Sequence, residues 1–530
     1  MKHGSFYLLA AMLSPIGLLA QSLDPVVSAE PEPIKLSFPL TGPDESASDF
    51  INFETPQVHP LDLSPGGSQL AACNTPDVRV EIFSLIKGLP QHQLSLAVGV
   101  DPVTVRYRND DELWVVNQIS DSISVISVSA AAVMRTLPTL DKPADVLFPP
   151  GSGKAFVTCG TDNAVLVFDL NALDAPPERL DIQGEEPRAL ALSPDGKTVY
   201  AAIFESGNGT TILAGGQEDG EMISYPPTNV VSDPRGPYGG VNPPPNLNEV
   251  IVPRPPLDSL PEDRPLVSLI VKRDGEGRWM DDNQGDWSRF IDGDLAPLSG
   301  RPEGWELVDN DLAMIDVATH EISYAGGLMN IGMALGVNPV TGQVAVVGTD
   351  AKNEVRFEFN LNTVFHEVVV GIVDPVNGEE NRVEDLNPQI SGPVSDANGD
   401  PKSFSPKARR YMALGEPRGI VYHPDGKKAY ITGRGSHMVI VIDEEGNRLT
   451  PTNPIEVGKG PTGMVIDGEG SRLYVLNRFE NSISTVDLEE EAELEETSFF
   501  DPTPENIKIG RHHFYDTQTN SIFGHASCAS

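Results

Sequence analysis

Cysteine is scarce in this chain, with three residues in 530. That is too few for a disulfide scaffold, so a hydrophobic core must hold the fold together. Basic side chains are short as well: 37 Lys and Arg stand against 77 Asp and Glu, a formal charge of −40 at pH 7. Such a field repels nucleic acid and anionic membrane and favours cations or basic partners. Long apolar runs are missing beyond the first 20 residues, so no later segment is expected to span a bilayer as a helix. There is no Gly-x-Ser-x-Gly elbow, no His-Glu-x-x-His zinc motif and no phosphate-binding glycine loop.

What the chain has is a period. A short apolar strand, often led by an aromatic, recurs as LAAC at Leu70, WVVN at Trp114, FVTC at Phe156, YAAI at Tyr200, AVVG at Ala345, YITG at Tyr430 and YVLN at Tyr474. The starts differ by 44, 42, 44, 145, 85 and 44 residues. The two long gaps are one period of about 44 plus insertions of roughly 101 and 41. A Pro opens most units (Pro60, Pro102, Pro143, Pro187, Pro417, Pro461), and turns such as Ser193-Pro194-Asp195-Gly196-Lys197 and His423-Pro424-Asp425-Gly426-Lys427 precede the recurring strand. Asp-Gly between period-2 apolar runs is a hairpin signal, because both residues tolerate the backbone angles of tight turns. A further alternating strand follows, as in SISVISV from Ser122 and SISTVDL from Ser482. Each unit therefore reads as an antiparallel meander.

Repeats near 40 residues, each of about four strands, close radially and leave only short, protected edges. Helical repeats of similar length are excluded by the Val, Ile and Thr content and by Pro and Gly every eight to twelve residues. The expected fold class is all-β, a seven-bladed β-propeller with a folded insertion in the fourth unit and a short C-terminal tail. At the N-terminus, Lys2 and His3 precede an apolar stretch from Phe6 to Leu19 that ends Leu18-Leu19-Ala20. This reads as a secretory signal peptide, which implies a periplasmic or secreted protein. The expected plan is a signal peptide at 1–20, a leader at 21–50, and propeller units at 51–213, 311–361 and 413–488. Insertions fall at 214–310 and 362–412, an acidic linker at 489–500 and a distinct tail at 501–530. A strand near Ile34 to Leu40 is a candidate for closing the ring on the last unit.

Cys73 and Cys159 both occupy the fourth position of the recurring strand, one and three units in, where sister units place Asn117 and Asn477. A whole blade should separate them, too far for a disulfide, so they are expected as buried free thiols. The first insertion holds Trp279, Trp287 and Trp305 behind a Pro-rich stretch from Tyr225 to Pro265; so many aromatics predict a packed excursion. It carries Asp281, Asp282, Asp286, Asp292 and Asp294, while the second insertion has Asp396, Asn398 and Asp400 at alternate positions. Oxygen donors so spaced are candidate Ca²⁺ ligands, with ordinary Asx turns as the competing reading. The Asp396 run is no EF-hand, because position twelve is Lys407 where a bidentate Glu would be needed. A hydrolase site in the central channel would need convergent His, Glu and Arg, for which His59, Arg188, Arg418 and His423 are the candidates. His59 and His423 adjoin turn prolines, where a surface or turn role is expected.

The repeated strands and the Ser-Pro-Asp-Gly-Lys turn resemble the YVTN-type β-propeller repeat, over roughly Pro56 to Leu488 without the insertions. The resemblance implies a fold more than a function, since related propellers serve as binding scaffolds, lactone hydrolases and domains fused to redox modules. The closing stretch Gly510-Arg511-His512-His513-Phe514-Tyr515-Asp516, followed by Ser527-Cys528-Ala529-Ser530, resembles the opening of a cytochrome c domain of the dihaem-peroxidase type. In that motif two thiols bind the haem vinyls and a His ligates iron. The resemblance implies haem c with Cys528 as the first attachment residue, although the second Cys and the His do not fall within these 530 residues. The expected function is an exported propeller that acts as the binding or docking domain of a haem-c electron-transfer or peroxidase-like protein. Its expected partner is a protein or redox partner, a basic one being favoured by the charge, with no nucleic acid and no membrane span. A lactonase-type hydrolase and a cell-surface interaction module without chemistry are the alternatives.

Overall fold

The computed structural model describes residues 50–213, 307–351, 366–378, 380–391, 406–449, 453–519 and 524–530, with residue 521 and shorter stretches at 217–218, 221–222, 233–237, 239, 269–281, 284–298, 394–395 and 401–402. The signal peptide, the leader and the Ile34 to Leu40 strand lie outside the described residues.

Antiparallel meanders of four strands follow one another along the chain: blade 1 over 61–97, blade 2 over 102–138, blade 3 over 143–181 and blade 4 over 185–205 with 312–325. Blade 5 runs over 331–385, blade 6 over 417–456 and blade 7 over 461–498. A single Glu205–Ile331 pairing joins blades 4 and 5 into one eight-stranded sheet. The innermost strands neighbour one another in chain order, and Pro461–Ile466 of blade 7 returns to pack on Leu61–Leu63 of blade 1. The ring is closed, and the fold is an all-β propeller.

Its core lies in the seams between blades. Trp114 and Val116 of blade 2 pack on Val157 and Phe168 of blade 3. The last seam unites Tyr474, Leu476 and Ile483 of blade 7 with Leu61, Leu70 and Phe83 of blade 1. Alternating side chains of every central strand thus face two neighbouring blades, which is why the recurring strands are apolar on both faces. Hydrogen bonds repeat with the sequence. Asn117 Nδ2 donates to Ser122 and Ser124 Oγ, and Asn477 Nδ2 donates to Ser482 and Ser484 Oγ. Thr158 Oγ1 donates to the Arg188 carbonyl of the next blade, and Thr432 Oγ1 to that of Thr462. Cys73 and Cys159 are buried free thiols in the Asn position.

Pro102, Pro143, Pro417 and Pro461 take the first place of an inner strand, where the missing N–H interrupts no ladder, while Pro60 lies just before one and Pro187 stands third. Pairing slips just after the opening Pro at Pro102, Pro187, Pro417 and Pro461. The residue before it is left-handed: Asp101 at φ 63°, Lys142 at 52°, Glu186 at 55° and Glu416 at 53°. In blade 7 this place is Gly460, where a Cβ would meet the Phe479 ring at 2.5 Å. Non-glycine residues tolerate this region poorly, so a recurring acidic one is a sign of function or of specific support.

Two expected boundaries are corrected. The stretch 489–500 is not a linker: Ala492–Ser498 is the outermost strand of blade 7, paired with Ser482–Asp487. Its glutamates are exposed on a sheet edge, where like charges discourage edge-to-edge association. Nor is 362–412 wholly an insertion, since His366–Val373 and Arg382–Asp385 are the two outer strands of blade 5.

In the first insertion, Thr210–Leu213, Leu269–Arg273 and Trp279–Met280 form a three-stranded sheet. Val271, Trp279, Trp287, Phe290, Ile291 and Leu295 form a small core of their own. Trp305 lies outside the described residues, as does most of the Pro-rich stretch.

Candidate functional site

The channel along the propeller axis gathers chemistry from four blades. His59 precedes the inner strand of blade 1 and forms a parallel bridge to Thr104 of blade 2. Its Nδ1 lies 2.6 Å from Oδ2 of Asp145, on the inner strand of blade 3. The same oxygen accepts the Leu190 N–H of blade 4 at 2.7 Å and lies 3.5 Å from Nη2 of Arg106, on blade 2. Asp145 is fully buried. Burial opposes its ionisation, but His59 and Arg106 outweigh that and hold the carboxyl below the usual range. His59 moves down as well, because burial and Arg106 outweigh the attraction of Asp145. At neutral pH the site therefore holds a neutral imidazole that donates Nδ1–H to a carboxylate. Among the described residues its Nε2 has no partner. A lone pair held in this way has the geometry of a general base.

The expectation of a surface or turn role for His59 is thus corrected: it stands between blades, against a carboxylate 86 positions along the chain. His423 does take a turn position, with Nδ1 2.7 Å from Asp425 and Nε2 3.1 Å from the Gly470 carbonyl.

Asp62 extends the cluster. Burial pushes its carboxyl up to about 6, against the pull of Arg106 and the Tyr107 N–H. The fold binds this proton more tightly than the unfolded chain does, so the stabilisation is present at acid pH and is lost as pH rises from about 4 through about 6. Replacing Asp62 by Asn is expected to remove about 1–2 kcal/mol of that decline, measured as the difference in urea unfolding free energy between pH 4 and 7. An unchanged slope would rule the assignment out.

Towards the mouth of the channel the charge turns positive, against the sign of the whole chain. Arg188 and Arg418 each follow an opening Pro on the inner strands of blades 4 and 6, in the same tripeptide Glu-Pro-Arg. Arg434 and Arg478 occupy the turns after the second strands of blades 6 and 7, and Arg511 comes from the C-terminal helix Glu505–Tyr515. All five are buried. Arg434 Nε pairs with Glu416 at 2.8 Å and Arg511 Nε with Glu54 at 2.9 Å. Arg478 Nη2 donates to the Phe53 carbonyl at 2.8 Å and Arg188 Nη2 to that of Pro56 at 2.9 Å. Residues 52–57 therefore lie across the mouth, and Gln57 bridges Thr75 of blade 1 to Thr462 of blade 7.

The C-terminal tail is seated on the same end. The Thr517 N–H donates to the Gly435 carbonyl, Tyr515 lies under the Arg434 guanidinium at 4.4 Å, and Ser527 Oγ donates to Glu416 Oε1 at 2.9 Å. His525 is buried with its ring 4.8 Å from that of His366 on blade 5. Cys528 follows at the surface, exposed and free.

Asp396, Asn398 and Asp400 lie outside the described residues. In the first insertion, Asp281 accepts the Gly285 N–H and Trp287 Nε1, Asp292 accepts Trp279 Nε1, and Asp294 pairs with Arg289. Among the described residues no group of three or more His, Cys, Asp and Glu is arranged to hold a metal ion.

No protein-family model matches the chain. An uncharacterised Escherichia coli protein, YncE, is 30% identical over 100 residues, which is 19% of this chain and 26% of that protein. The chain thus spans about a quarter of the length of the curated relative it matches. Among solved structures, a chain of Kuenenia stuttgartiensis hydrazine synthase superposes with a TM-score of 0.52 at 17% identity, covering 83% of this chain and 98% of that one. Apo AztD from Citrobacter koseri aligns with a TM-score of 0.39 at 11% identity, covering 81% of this chain and 94% of that one. Likeness at such identity speaks to architecture alone. Among the described residues no helix is long and apolar enough to cross a membrane. The closed ring and the hydrazine synthase likeness agree, and the chain is a β-propeller.

Proposed function

We propose that this chain is an exported propeller that serves as the binding or docking domain of a haem-c electron-transfer or peroxidase-like protein. The observation that carries the reading is the seating of the C-terminal tail on the channel mouth, which leaves Cys528 exposed beside it. A haem domain that begins in this tail would be held against the propeller by Thr517, Tyr515 and Ser527. Cys528 would supply one thioether to the haem, which provides one-electron redox chemistry when bound. A Cys-His continuation after Ser530 would supply the second thioether and an axial ligand. The stretch from Phe6 to Leu19 supports export, and the charge of −40 supports a basic redox partner.

The coding sequence past Ser530 tests the reading, followed by expression with haem-maturation machinery and a reduced-minus-oxidised spectrum. A Cys-His continuation with a c-type α band is the expected result. A stop codon there, with no haem signal, would defeat it.

The His59–Asp145 pair favours a second reading, a propeller hydrolase of the lactonase type. Its general base would be His59 Nε2, with Asp145 fixing the tautomer and Arg106 placed to polarise a carbonyl. Turnover of lactones by the isolated propeller, abolished in His59→Gln, would support it; wild-type inactivity on a lactone panel would remove it.

A further inference from the structure

Of the five buried guanidinium groups at the channel mouth, four have a carboxylate or carbonyl partner within 2.9 Å. Arg418 has none among the described residues. It is 7% exposed, and its Nε is buried without a hydrogen bond. The charges that act on it most are Arg434, Glu416 and Arg188. Arg418 falls in the slip between the Pro417–Gly433 and Gly419–Thr432 pairings, and its side chain is buried there.

An arginine does not shed its charge at neutral pH. Burial lowers its pKa to about 9, still above neutrality. Burying that charge without a hydrogen-bonding partner is costly, and most natural folds avoid it. The pairing around it gives the kind of partner that is missing. Of the five arginines, Arg434 and Arg511 pair with carboxylates and Arg188 and Arg478 reach carbonyl oxygens, so the mouth holds more positive charge than carboxylates paired with it. The vacant donors form a planar fork, whose geometric complement is a carboxylate.

We infer that the channel mouth is a binding site for a small carboxylate, held by the Arg418 guanidinium beside Arg188 and Arg434. The site lies directly under the tail: Glu416, which balances Arg434, also accepts Ser527, and Arg434 itself stacks on Tyr515. Occupancy therefore stiffens the seat of the C-terminal segment. The inference does not depend on the haem reading, because it uses only residues of this chain and their charges.

Formate is the probe. In the 530-residue chain, replacing chloride by formate at constant ionic strength is expected to raise Tm saturably, by about 3 °C at concentrations on the order of 100 times the dissociation constant. Hydrogen exchange of the Thr517 amide, which donates to Gly435, should slow in parallel. In Arg418→Gln both responses should vanish, while Tm in chloride stays at or above that of the wild type because a buried guanidinium without a hydrogen-bonding partner is gone. Two results overturn the proposal: a formate response that is absent from the wild type or persists in Arg418→Gln, or a large fall in the chloride Tm of the variant, which would make Arg418 a structural cation.

Discussion

Replacing Glu416 by alanine is expected to destabilise the propeller by about 3–5 kcal/mol, since breaking a buried ion pair from one side leaves the other charge stranded. Glu416 is 3% exposed and pairs at 2.8 Å with Arg434, itself 6% exposed. Burial alone would raise its pKa, but Arg434 and Arg418 reverse the shift, so the carboxylate is charged at neutral pH. Alanine would leave both guanidinium groups without their counter-charge and remove the acceptor of Ser527. Two readouts should move together: the urea midpoint at pH 7, and the proteolytic resistance of the tail after Tyr515. Glu416→Gln keeps the shape and an acceptor for Ser527, so it should retain the tail while losing most of the stability. Adding Arg434→Met to Glu416→Ala should restore part of the loss, because the two sites are coupled. A loss below about 1 kcal/mol for Glu416→Ala would mean that water solvates the arginines, and the picture of a dry, charge-balanced mouth would be abandoned.

Part of this arrangement is legible in the sequence, and the division has a physical cause. The blades announce themselves because every seam needs the same two-faced apolar strand, so YITG at Tyr430 and YVLN at Tyr474 look alike. The outer strands do not. Ala492–Ser498 has little to bury, and its glutamates read as a linker until its pairing with Ser482–Asp487 is seen. The third strand of blade 5, His366–Val373, vanishes into an apparent insertion for another reason: it is apolar and buried, but it starts farther along the chain from its hairpin partner Val344–Ala351 than the third strands of blades 1, 2, 3, 6 and 7 do from theirs.

The channel is harder still. His59 and Asp145 meet from blades 1 and 3 across 86 positions, and no local pattern links them. His59 next to Pro60 looks like a turn residue because its neighbours along the chain are not its neighbours in space. One signal was available. Glu186-Pro187-Arg188 and Glu416-Pro417-Arg418 are the same tripeptide at the same point of the repeat. That point is the channel mouth of any propeller built from such units, so a charge repeated there is a charge brought to the axis.

Truncating Tyr474 to alanine should cost about 3–5 kcal/mol, in the range of large core deletions, and the location matters more than the size. The four strands of blade 1 come from 61–97 and those of blade 7 from 461–498, so no strand is shared between the first and last blades. Among the described residues, closure rests on side-chain contacts and hydrogen bonds. Tyr474 is 1% exposed in the seam with Leu61, Leu70 and Phe83, and its hydroxyl donates to the Gly88 carbonyl at 2.9 Å. Asn481 Nδ2 adds a bond to Asn74 Oδ1, and Thr462 Oγ1 one to Gln57. Tyr474→Phe removes only the hydroxyl bond and should cost about 0.5–1.5 kcal/mol. Tyr474→Ala opens a cavity in the seam where, among the described residues, no strand connection links the two blades, so hydrogen exchange should quicken first in blades 1 and 7 and later elsewhere. Tyr430, equally buried but in the seam between blades 6 and 7, is the control. Its truncation should cost as much overall, yet the backbone joins those blades, so opening there should not spread preferentially to blade 1. Equal exchange patterns for the two variants would show that the ring does not open at its closure, and that its stability is shared evenly around the axis.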